Sequence, residues 1–198
     1  MTHNFMDAVR KRRSIYAIGK DKVISGKKVQ ELVEQALLHV PSAFNSQNGR
    51  IVLLLEKESA KFWNMVRETL RGIVPADAFA KTEEKLASFD AGWGTILFFE
   101  ERKTVENLME QFPLYKDNFP VWSLQSNGML QFAIWTALEA EGLGASLQHY
   151  NPLVDDAVAK EWNIPKTWKL LAQMPFGSVV APAGQKEFMP LEERLKVF

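Results

Sequence analysis

Short apolar segments alternating with helical patterns predict an α/β or α+β fold. Strand-like runs are few: RIVLLLE at 50–56, TILFF at 95–99 and a last run at 169–176. Helical periodicity dominates the remainder. Its longest stretch, 122–141, is apolar on nearly every side, as expected of a helix buried in a core or a subunit interface.

Residues 6–13 read as a short amphipathic helix with Phe5, Met6 and Val9 on its apolar side. A second helix starts at Ser25, a fitting N-cap. It continues through Val29, Leu32, Val33, Ala36 and Leu37 at helical spacing, and Pro41 ends it. The turn-forming stretch PSAFNSQNG at 41–49 reads as a loop before the 50–56 strand. A helix over 59–71 aligns Phe62, Met65, Val66 and Leu70, whereas Pro75, Asp77 and Gly92 break up 72–93. After the 95–99 strand come a helix at 104–112 and the long one, which Gly142 and Gly144 terminate. A short strand at 145–148, a helix at 154–162, the 169–176 strand and a polar tail from 184 complete the chain. No repeat, low-complexity tract or linker divides it, so one domain over 1–198 is expected.

The 24 basic and 24 acidic residues cancel, which argues against a nucleic-acid or membrane-surface binder. The balance is uneven, however. Residues 1–28 hold eight Lys/Arg against Asp7 and Asp21, and a bound anion would explain that asymmetry. Cysteine is absent, which excludes disulfides, thiol nucleophiles and thiolate metal sites. The N-terminus lacks a signal-peptide pattern and no apolar run approaches the ~20 residues of a bilayer span. A cytoplasmic protein is expected.

Three groups of residues carry chemistry. Arg12, Arg13 and Ser14 follow the first helix; guanidinium forks and a hydroxyl suit phosphate oxygens, although a basic run is also an ordinary solvated face. The loop gathers Ser42, Asn45 and Gln47, donors and acceptors fit for a polar heterocycle or simply for a turn. Gly142 to Tyr150 (GLGASLQHY) joins small residues to Gln148 and His149, a place where a flat ligand could approach the backbone.

The ordered set RRS, PSxxNxQ and GLGxxxQ resembles the FMN-binding elements of the nitroreductase family, from Arg12 to Lys186. RRSIYAIGK, SLQHYNP and MPFG look most like a short-chain branch containing fatty-acid-repression-type and copper-induced bacterial nitroreductases. The resemblance implies an α+β fold, an α/β/α sandwich with a central mixed or antiparallel sheet and a long buried helix, paired as an intertwined homodimer. It implies that Arg12, Ser14, Arg13 and Lys186 hold the FMN phosphate. Ser42, Asn45 and Gln47 would line the flavin from the partner subunit, and Leu147, Gln148 and His149 would pass its reactive edge. Tyr16 and Phe188 stand where many relatives carry basic residues, and Asn48 stands where a proline usually follows the loop glutamine.

The activity implied is an NAD(P)H-dependent FMN oxidoreductase that reduces a small-molecule acceptor, a nitroaromatic or a quinone, by a ping-pong cycle. A non-catalytic or regulatory flavin-binding protein on the same fold is the alternative. Such chemistry belongs to the cofactor and needs no acid–base pair. No G-x-S-x-G, H-E-x-x-H or P-loop occurs. His3, His39 and His149 are scattered and make no metal site, and the acid pairs Glu83-Glu84, Glu100-Glu101 and Asp155-Asp156 read as solvated.

Overall fold

In a computed structural model, residues 5–198 are described; His3 lies outside them. The chain order is α1 (Phe5–Lys11), β1 (Ile18–Gly19), α2 (Gly26–His39), β2 (Gly49–Leu55), α3 (Lys57–Arg71) and α4 (Phe79–Asp90). Then follow β3 (Gly94–Glu101), α5 (Arg102–Gln111), α6 (Phe119–Ala140), β4 (Leu143–Ala145), α7 (Asp155–Glu161) and β5 (Trp168–Val179). The strands form a sheet in the order β1-β5-β3-β2, with β4 also on β5, and every strand pair is antiparallel.

Strand alternation explains the layering. Successive side chains of a strand point to opposite faces. Ile96 and Phe98 of β3 enter one core with Val29, Val33, Leu130, Ile134 and Met174. Leu97 and Phe99 enter the other, with Phe62, Trp63, Val66, Phe89 and Val158. Both faces of β3 are therefore covered, by α2 and α6 on one side and by α3, α4 and α7 on the other. This is the expected α/β/α sandwich, with an antiparallel rather than a mixed sheet. The register along β3–β5 slips once, between Phe98 and Phe99.

Several boundaries differ from the sequence reading. Ser25 caps α2 as expected, accepting from the Lys28 amide at 3.1 Å. Residues 79–90 form a full helix, α4, because Phe79, Leu86 and Phe89 supply a buried side that Pro75 and Asp77 only precede. β1 has two residues, too few for a period to register. The strand expected at 145–148 is instead β4, ending at Ala145; Gln148 makes an isolated bridge with Gln173. The acid pairs are not all solvated. Glu100 is 7% exposed, since it sits on the inner strand β3, and Asp155 is half-buried.

Candidate functional site

α1 ends at Lys11, and the basic segment that follows is extended. Ser14 bridges Ala145 of β4, and the Ile15 amide donates to the Ala145 carbonyl at 2.9 Å. This pairing brings the RRS segment beside the start of the GLGASLQHY segment, although the two are far apart in sequence. Neighbouring arginines take different surroundings. The Arg12 guanidinium lies 4.4 Å from the Trp135 ring centroid on α6, with Nε buried and unpartnered. Burial, and then the like charge of Arg13, lower its pKa, while Glu139 opposes them. Arg13 instead donates to the Gly184 carbonyl at 2.9 Å, tying the tail back onto the basic segment.

A cavity of about 450 Å³ lies there, lined by Arg13, Ser14, Tyr16, Ala17, Gly184 and Gln185. Lys186 is exposed just beyond it, its ammonium 5.1 Å from the Phe188 ring. Cations and a hydroxyl around an open space can hold an anion.

Loop 41–48 is conformationally unusual. Phe44, Asn45 and Gln47 all have left-handed backbones, at φ 56°, 50° and 46°, a region that non-glycine residues rarely adopt. Local hydrogen bonds hold it: the Gln47 amide donates to Ser42 Oγ at 2.9 Å, and Arg50 Nη1 donates to the Gln47 carbonyl at 2.7 Å. Ser42, Asn45 and Gln47 share one concavity with Pro41, Asn48 and Leu130. It has no lining residue in common with the cavity at Arg13 and Ser14. Within one chain, the loop and the basic end are thus two separate concavities.

The third group is largely committed internally. Gln148 is buried, exchanges both backbone bonds with Gln173 at 2.7 and 2.9 Å, and turns its side-chain amide to Ser146 Oγ at 3.1 Å. Leu147 packs on the core. His149 alone of the three presents an exposed side chain.

Comparison with known proteins decides the family. A model described as the nitroreductase family matches residues 9–178. This chain belongs to the nitroreductase family. A family relative, nitroreductase FRM2 of Saccharomyces cerevisiae, is 32% identical over 191 residues, covering 95% of this chain and 94% of that one. Nitroreductase CinD of Lactococcus lactis, solved with nicotinic acid, superposes with a TM-score of 0.91 at 48% identity, covering 98% of this chain and 100% of CinD. A Desulfovibrio desulfuricans protein solved with FMN shares the nitroreductase fold at a TM-score of 0.71 and 19% identity, over 100% of this chain and 99% of that one.

Sequence reasoning missed what supports these groups. Trp135 was an apolar residue of a helix, and nothing in its spacing marked it as the plate beneath Arg12. Phe44 joins Phe112, Phe119 and Trp122 in an aromatic cluster with ring centroids 5.0 to 6.2 Å from its own. It lines an open apolar hollow with Trp122 and Met129. Glu100 was hidden by its neighbour Glu101, since two adjacent acids resemble a surface.

Proposed function

We propose that this nitroreductase-family chain is an FMN-dependent oxidoreductase, a single domain over 1–198 working as a cytoplasmic homodimer. It takes hydride from NADH or NADPH and then reduces a nitroaromatic or a quinone at the same site, in a ping-pong cycle. The observation that carries the reading is a pair of separate concavities, a basic end on one surface and a polar loop on another. A flavin mononucleotide has a matching division, an anionic phosphate and a flat ring edged with donors and acceptors.

The residues fit that group. The cavity at Arg13, Ser14 and Gly184 suits a dianion, and Arg12 is a desolvated cation with an unpartnered Nε. Arg12, Arg13, Ser14 and Lys186 would hold the phosphate. Ser42, Asn45 and Gln47 of the partner would hydrogen-bond the ring, and Leu147, Gln148 and His149 would line its edge. Bound FMN supplies two-electron chemistry between donor and acceptor. The protein orients each flat ligand in turn, and the open apolar hollow at Phe44 and Trp122 offers a surface on which such a ligand could pack. The nicotinic acid in the CinD structure and the FMN in the Desulfovibrio protein support a site for flavin and flat aromatic ligands. Among the described residues no helix is long and apolar enough to cross a membrane.

The test is anaerobic titration of the FMN-loaded protein with NADH and with NADPH. Bleaching of the flavin band, and its return on adding a quinone, is expected. Failure to bind FMN would overturn the reading. Bound FMN that neither nucleotide reduces would leave a non-catalytic flavin-binding protein.

A further inference from the structure

Glu100 is a buried carboxylate, and among the described residues no basic group pairs with it within 4 Å. Burying such a group is costly unless hydrogen bonds compensate. Here they come from one direction. Ser46 Oγ donates to Asn48 Oδ1 at 3.1 Å. Asn48 Nδ2 donates to Ser123 Oγ, and Ser123 donates its hydroxyl proton to Glu100 Oε2. Each donor points inward, so the carboxylate fixes the polarity of the whole row. Asn48 and Ser123 are themselves 3% and 5% exposed. The backbone runs parallel to this row: the Glu101 amide donates to the Asn48 carbonyl at 2.8 Å.

The outer end of the row lies inside the loop with three left-handed residues. Conformations of that kind persist only where surrounding structure over-determines them. Ser46 lies between Asn45 and Gln47, and Asn48 follows directly. A proline at position 48 would keep the backbone restricted but could make neither side-chain bond. The asparagine therefore couples the loop to α6 through Ser123 and to β3 through Glu100.

We propose that Glu100, acting through Ser123 and Asn48, is a positioning residue for the loop that presents Asn45 and Gln47 to the flavin. The row anchors the loop to the rigid centre of the sheet, and what Glu100 contributes is an acceptor, not a charge. This rests on the loop's role in the proposed function, so the experiment includes a measurement that needs no flavin.

The first measurement is amide hydrogen exchange on the flavin-free protein. Ser123→Ala and Asn48→Ala should speed exchange at 44–48 by about ten-fold, the loss of about one hydrogen bond, and leave α3 unchanged. Glu100→Gln, which keeps an acceptor oxygen, should stay near wild type, and Glu100→Leu should follow Ser123→Ala. Unchanged loop exchange in Ser123→Ala overturns the proposal whether or not FMN binds, as does an acceleration spread evenly over the sheet. The second measurement is FMN affinity in a double-mutant cycle. Asn48→Ala should weaken binding by about ten-fold in the wild-type background and less than two-fold in the Asn45→Ala, Gln47→Ala background, which lacks both side chains the loop presents. Equal effects in both backgrounds would mean that Asn48 acts elsewhere, and would overturn it too. Failure of the wild type to bind FMN would count against the proposed function and leave the exchange result to decide this one.

Discussion

The guanidinium of Arg12 rests on the indole of Trp135, 4.4 Å from its centroid. The arginine comes from the segment after α1 and the tryptophan from the C-terminal third of α6. The contact fixes a planar cation against a rigid helix and withdraws it partly from water. A cation over an indole gains about 0.5–2 kcal/mol, most when desolvated. On the proposed reading Arg12 serves the FMN phosphate, so the contact should be felt by FMN and not by riboflavin, which lacks that group. Trp135→Leu should weaken FMN about ten-fold, Trp135→Phe by less, and neither should change riboflavin affinity by more than about two-fold. Equal losses for both ligands in fluorescence titration would show a general packing defect.

The fold was legible where period and burial agree. TILFF identified β3 because a strand covered on both faces is a continuous apolar run, and Ser25 placed the start of α2 through its cap. The candidate site was visible as three motifs, but not as an arrangement. Ser14 meets Ala145 through a bridge spanning more than half the chain, and no local spacing encodes such a pairing. Glu100 and Trp135 were invisible for a related reason. A carboxylate on an inner strand and an indole under a guanidinium differ from ordinary ones only in their neighbours.

Gly177, in the MPFG segment of β5, is packed against another backbone. A Cβ there would lie 2.1 Å from the Gly19 carbonyl oxygen and 3.0 Å from the Trp93 amide nitrogen. Neither can swing away as a side chain could. Gly177→Ala should therefore cost about 2–3 kcal/mol in urea unfolding, as overpacking usually does. Gly184, whose added Cβ would meet nothing within 4 Å, is the control, and Gly184→Ala should be neutral within about 0.5 kcal/mol. A neutral Gly177→Ala would mean that β1 and β5 separate without cost.

Asp155 gives a dependence on pH. Burial raises its pKa from the ordinary 3.8, Asp156 adds to this, and Lys169 opposes it. One carboxylate oxygen is buried with no hydrogen-bond partner. An acid whose pKa is raised by folding binds its proton more tightly in the folded state. It therefore costs stability as pH rises from the ordinary value through the raised one. Asp155→Asn should raise the Tm at pH 7 by about 1–2 °C, a modest figure because the group is partly solvated. The advantage should shrink as pH falls and vanish below about 3.8. A benefit that persisted undiminished at pH 3 would assign it to the new amide instead.

The last prediction concerns the two stripes of α6. Ser123, Asn127, Leu130, Ile134 and Leu138 are buried at helical spacing and face the sheet. Val121, Leu124 and Phe132 form the opposite stripe and are exposed. Gly128 lies between them, with open space where its Cβ would be. An exposed apolar stripe on a central helix marks a surface that another protein covers, and a glycine within it lets a second backbone come close. The separate concavities suggest what covers it, since a second copy would bring its loop to this chain's basic end. Leu124→Glu with Phe132→Glu should convert a dimer at micromolar concentration into a monomer by sedimentation, and FMN binding should fall with it. Both losses should occur together, because on the proposed reading removing the partner removes its Ser42, Asn45 and Gln47 from the ring. A monomeric variant that kept full FMN affinity would show that one chain holds the cofactor alone.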